Sequence, residues 1–135
     1  MASVLKVDTL TGVTTAGSIA VTGEGNSTTT NLQQGLAKHF INMFGDDASI
    51  RDSFNTSSTS DDATGKKTVN LTTSHGSADF APVSSVGETI SSAGNRSSTT
   101  SPTDSNTYLF YTSSSNSGAY NDNDYQTAAT HGDLA

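Results

Sequence analysis

The chain contains no cysteine, which excludes both a disulfide framework and any thiolate metal site. Large apolar residues are also scarce: fewer than a fifth of the 135 residues are Leu, Ile, Val or Phe, while about a third are Ser or Thr. Together with a net charge of −7, this falls in the compositional range of disordered chains, where apolar burial is too small to offset the entropy of ordering the backbone. Ordering such a chain calls for help from outside the single copy, and the economical source is more copies of itself. Basic residues are few and scattered, six in all with a pI near 4.5, which argues against nucleic acid as a partner. No apolar run approaches the roughly 20 residues of a membrane helix, and no charged-then-apolar leader opens the chain, so neither membrane insertion nor secretion is expected.

What is present falls into three stretches. Residues 1–29 hold two short apolar runs, Val4, Leu5, Val7 and Leu10, then Ile19 and Val21, with Gly17 between them and Gly23 and Gly25 after. They read as an extended arm without a core of its own. Over residues 30–45, Leu32, Leu36, Phe40, Met43 and Phe44 recur at spacings of a helix face, with Thr30 or Asn31 as cap and Gly45 at the C-terminal position. The spacing predicts a helix over 31–44, marginal alone and weakened by Gly35, that uses Leu32, Leu36, Phe40 and Met43 for packing on its own chain or between subunits.

From residue 46 to 135 the pattern is that of strands and turns. Strands are expected at 50–57, 66–73, 79–86, 107–112 and 125–130, punctuated by Asp61-Asp62, Thr64-Gly65, Gly94-Asn95 and Ser117-Gly118. Thr68-Val69-Asn70-Leu71-Thr72 alternates cleanly, with Val69 and Leu71 on one face. Residues 91–106, small and polar, read as a long exposed loop. The fold class expected is mainly β, a small antiparallel β-sandwich or jelly roll behind the arm and one helix.

Several segments in order carry a resemblance: Ala2-Ser3-Val4-Leu5-Lys6-Val7-Asp8-Thr9-Leu10, Leu32-Gln33-Gln34-Gly35-Leu36-Ala37-Lys38, and Ile50-Arg51-Asp52-Ser53-Phe54-Asn55-Thr56-Ser57-Ser58 leading through Thr64-Gly65 to Thr68-Val69-Asn70-Leu71-Thr72. Over residues 1–72 the chain resembles the small fibre and tail-fibre-like structural proteins of marine tailed bacteriophages. It departs from them at the end of the expected helix, where His39 stands in place of their usual tryptophan. The resemblance implies a homotrimeric virion surface protein without enzymatic activity. Its N-terminal part would bind other virion proteins of the capsid or tail, and its β-rich part would face outward. It implies either a short fibre or a capsid decoration, with a capsid cement protein and a glycan-active depolymerase as alternatives.

Catalytic and metal chemistry is not signalled. Ser, Asp and His occur without a Gly-x-Ser-x-Gly elbow, and Glu24 and Glu88 are the only glutamates, so a carboxylate pair for glycan cleavage would need aspartates. His39, His75 and His131 lack paired ligand spacing, and Asp122-Asn123-Asp124 lacks the glycine and distal glutamate of a calcium hand. No cofactor is expected. The sequons at Asn26, Asn55, Asn70 and Asn95 follow from Ser/Thr richness, and Lys66-Lys67 reads as a hairpin closure or an edge guard. Tyr108, Phe110, Tyr111, Tyr120 and Tyr125 concentrate the later aromatics. Of these, Tyr111 and Tyr120, with Asn121, are the candidate receptor contacts, since a tyrosine ring beside an amide suits the face and edge of a sugar on a host-cell glycan.

Overall fold

The computed structural model describes residues 4–12, 19–22, 29–87, 96–114 and 118–132. A short ribbon comes first, β1 (Ala20–Thr22) antiparallel to β2 (Thr29–Asn31), followed by one turn of helix, α1 (Leu32–Gly35). Eight further strands follow: β3 (His39–Met43), β4 (Ile50–Phe54), β5 (Thr56–Ala63), β6 (Lys66–Leu71), β7 (Ala81–Gly87), β8 (Arg96–Pro102), β9 (Thr107–Ser114) and β10 (Tyr125–His131). They form two four-stranded antiparallel sheets, in the orders β4-β3-β10-β7 and β5-β6-β9-β8. The molecule is therefore mainly β.

The helix expected over 31–44 is replaced by a single turn and a central strand. The same apolar residues satisfy a period of two: His39, Ile41 and Met43 are buried, while Phe40 points out. Two antiparallel neighbours, β10 and β4, pair the strand on both sides. A 14-residue helix interrupted by Gly35 offers less than that double pairing around the β-branched Ile41. The expected strands at 50–57, 66–73, 79–86, 107–112 and 125–130 all form, the first split at Asn55. The expected loop at 91–106 is instead an edge strand from Arg96 to Pro102, paired along β9. Residues 91–95 of that expectation lie outside the described residues.

Asn55 makes the split. Its backbone is left-handed, with φ of 61°, a conformation asparagine tolerates better than most residues. There the chain leaves one sheet for the other. The Asn55 amide donates to the carbonyls of Lys38 and Thr73, both at 3.0 Å, and its side-chain oxygen accepts the Thr73 N–H at 2.7 Å.

The apolar core is small: Ile41, Met43 and Ala128 from one sheet, Val69, Leu71, Tyr108 and Phe110 from the other, with Phe80 between β6 and β7 and Val86 packed against them. Polar side chains complete it. His39 Nε2 meets the Thr56 hydroxyl at 3.0 Å, Ser84 Oγ donates to Ser98 Oγ at 3.1 Å, and Gln126 Nε2 donates to Thr112 Oγ1 at 3.4 Å. Each of these bonds runs from one sheet to the other. A chain with so few large apolar residues closes its two layers by replacing part of the usual apolar contact with neutral hydroxyls and amides, most of them hydrogen-bonded, while Gln126 Oε1 and the Tyr108 hydroxyl are buried without a partner among the described residues.

Lys67 is the boldest polar member of this interior. Alternation on β6 turns it inward beside Val69, with its side chain fully covered. Its ammonium donates to Asp61 at 2.6 Å and to Asp122 at 2.8 Å, and these bonds hold its pKa above the ordinary lysine value against the opposing effect of burial. Asp122 also accepts the Gly65 N–H at 2.7 Å. Lys67 is thus an internal tie between β5, β6 and the segment entering β10, rather than an edge guard.

Candidate functional site

The outer face of the β5-β6-β9-β8 sheet carries the expected aromatic pair. Alternation on β9 buries Tyr108, Phe110 and Thr112 and turns Tyr111 outward, with Lys66 of β6 and Thr99 of β8 as its cross-strand neighbours. The Lys66 ammonium lies 6.0 Å from the centre of the Tyr111 ring, within reach of a weak cation–π attraction. After β9 the chain turns back through Gly118, at φ of 65°, and Tyr120 bridges to Ser113. The Gly118 N–H donates to the Ser114 carbonyl at 2.8 Å and the Ser114 N–H to the Ala119 carbonyl at 2.9 Å.

This return brings the Tyr120 ring to 6.0 Å from that of Tyr111, at 33° between planes. Between them lies a hollow of about 310 Å³ lined by Ser97, Thr99, Tyr111, Thr112, Ser113 and Tyr120. Tyr120 is 60% exposed. Two ring faces among hydroxyls can stack a flat apolar surface and hydrogen-bond its polar edge, which is the chemistry a pyranose presents.

Asn121 does not join this hollow. Its Nδ2 donates to the Asp122 carbonyl at 3.2 Å and to Asn123 Oδ1 at 3.4 Å, so it braces the loop behind the tyrosines. The polar partners supplied to the rings are the β8 hydroxyls of Ser97 and Thr99. Sequence reading missed them because Arg96-Ser97-Ser98-Thr99-Thr100-Ser101 has no apolar alternation; its threonines, common in strands, were the available signal. Gly65 faces the same return from below. A Cβ there would stand 2.5 Å from the Thr112 carbonyl oxygen and 2.7 Å from the Asn121 nitrogen, and φ is +66°, so glycine is required for the loop to seat.

The four residues expected to join subunits separate. Met43 is fully buried in the core of its own chain, because β3 alternation turns it inward, and it is no interface residue. Leu32 is half-buried and Leu36 exposed. Phe40 faces outward from β3 and stacks on Phe54 of β4, ring centres 6.2 Å apart. The register sets four residues side by side across that sheet: Phe54, Phe40, Ala129 and Val83. Phe40 and Val83 line a shallow groove of about 500 Å³ that also includes Asp52 and Thr127.

The remaining candidates for chemistry sit elsewhere. His39 and His75 are both buried, His39 edge-on to Tyr108 at 5.6 Å and His75 stacked on Phe80 at 4.2 Å. Burial, with the charge of His75 added, lowers the His39 pKa to about 4, so it is neutral in the folded protein. Burial likewise pushes the Tyr108 hydroxyl well above its usual range. Asp122 is committed to Lys67 and Asn123 is buried, and no group of three or more metal-ligating side chains occurs among the described residues. No helix there is long and apolar enough to cross a membrane. No family model matches the sequence, and no curated protein or solved structure shows a significant match to it.

Proposed function

We propose that the chain is a bacteriophage virion structural protein. It is a short homotrimeric fibre or capsid-surface decoration held by its N-terminal part, with its hydroxyl-rich sheet facing a host surface. The observation that carries this reading is where the scarce apolar residues lie. The interior is completed with hydroxyls, amides, His39, His75 and Lys67, while Phe40, Phe54 and Val83 on one sheet and Val4, Leu5, Val7 and Leu10 on the arm are exposed. Apolar groups withheld from an undersized core are the mark of a surface that is covered on assembly. The sandwich, rather than a jelly roll, is the fold proposed, supported by the core shared between the two sheets. Leu36 and Phe40 remain the subunit contacts proposed from the sequence. The resemblance over residues 1–72 supports the virion setting, and the Tyr111–Tyr120 hollow is the proposed receptor contact.

The test is a map of whole virions from a phage encoding the chain, with the protein located by antibody labelling. Copies projecting from capsid or tail support the reading. Absence from purified particles sinks it, and copies lying flat across capsid subunits, with adsorption unchanged when the protein is removed, favour a cement role.

A further inference from the structure

We infer that the Phe54–Phe40–Ala129–Val83 row is covered by the N-terminal arm of a second copy, so that subunits join by arm exchange. This rests on the oligomeric part of the reading above, names what closes the oligomer, and assigns Leu5 and Val7 to the neighbouring copy, so that attachment to the virion falls to the rest of the N-terminal part. Both halves of the contact are on view within one chain. The row stands open, with Phe54 54% and Val83 57% exposed, and so does the arm, with Val4 75% and Leu5 80% exposed. Neither covers the other within the chain, so a second copy of the same sequence is the partner that covers both at once.

The dimensions agree. The row crosses three interstrand steps, about 14 Å, while an extended arm places Leu5 and Val7 on one face about 7 Å apart, so both fit along it. The same alternation puts Lys6 and Asp8 on the arm's opposite face, so Leu5 and Val7 reach the row without carrying a charge onto it. Arm to row is a heterologous contact, so repeating it round an axis closes a ring of copies.

The absence of native cysteine makes the test direct. Full-length chains carrying Leu5→Cys are mixed with chains carrying Val83→Cys and oxidised mildly, and the products are separated without reductant. Arm exchange predicts a mixed disulfide-linked dimer in high yield, and a wild-type mass by light scattering that is a multiple of one chain. Phe40→Asp, at an exposed position that leaves the core intact, should weaken association about 10- to 100-fold, and deleting residues 2–12 should do so at least as strongly. A wild-type monomer, or a mixed dimer no more abundant than the dimers each variant forms alone, overturns arm exchange. An oligomer of unchanged affinity after the deletion also overturns it, yet leaves the virion reading standing, because that reading is decided on particles.

Discussion

The two sheets share a core and differ on their outer faces. The β5-β6-β9-β8 sheet presents Lys66, Thr68, Asn70, Thr99 and Tyr111, groups that water satisfies and that a polar ligand can engage. The β4-β3-β10-β7 sheet presents the row of Phe54, Phe40, Ala129 and Val83, which water satisfies poorly. The difference lies in the outward positions alone, since both sheets turn alternating residues inward. One face is polar and the other carries an apolar row, and a fold of this size supports both because only half of each strand's side chains are needed for its interior.

The sharpest way to break the comparison is to exchange an inward for an outward aromatic. Phe110→Ala, in the core, should cost about 3–5 kcal/mol, whereas Phe54→Ala should cost less than about 1 kcal/mol in the dissociated chain. Urea titrations followed by circular dichroism measure both, and equal losses would mean that the outer row belongs to the monomer's own core.

A pH series probes the interior behind the apolar row. Below about pH 6.5 the unfolded chain takes up a proton at residue 39 that the folded chain refuses until about pH 4. Stability is therefore fully present above pH 6.5 and declines as the pH falls towards 4, by about 2–4 kcal/mol over that window. His39→Gln should flatten the decline, and an unchanged slope would show that other groups set it.

On the wet side, the internal tie is the sensitive point. Lys67→Ala leaves Asp61 and Asp122 facing one another without their cation, and because both carboxylates are partly exposed the loss should be about 2–3 kcal/mol, below that of a fully buried pair. Raised salt should recover part of it, since screening relieves the repulsion between the two carboxylates. The smallest effect on stability is expected at Tyr120, where Tyr120→Ala should change it by less than about 0.5 kcal/mol while lowering host adsorption several-fold. Unchanged adsorption would remove the hollow from the recognition surface.

Strands with one clear face were readable from the sequence. Val69 and Leu71 between Thr68 and Asn70 show their inner positions by residue type alone, whereas Tyr108-Leu109-Phe110-Tyr111 is apolar or aromatic throughout and only the fold decides that Tyr108 and Phe110 turn inward. His39 to Met43 misled because Phe40 and Phe44 complete a helical spacing just as well as His39, Ile41 and Met43 complete an alternating one. Only the neighbours decide between the two periods, β4 next along the chain and β10 far away in sequence. The tyrosine pair was visible as composition. The hydroxyls that line it were not, because β8 has no apolar face and is a strand only by virtue of β9 beside it. Lys67 was the least legible of all: a buried cation is specified by two carboxylates, one of them 55 positions away.

The position of β10 bears on the order in which the molecule is made. It lies between β3 and β7, so the middle of its sheet is supplied by the last of the described strands, whereas β5, β6, β8 and β9 are complete by residue 114. On a translating ribosome the polar-faced layer can form while the apolar-faced one still has a gap at its centre, leaving Ile41 and Val86 without the strand that joins theirs. Emergence of β10 then closes that gap and brings Phe40, Ala129 and Val83 into one row. A chain cut short before β10 therefore lacks the complete row.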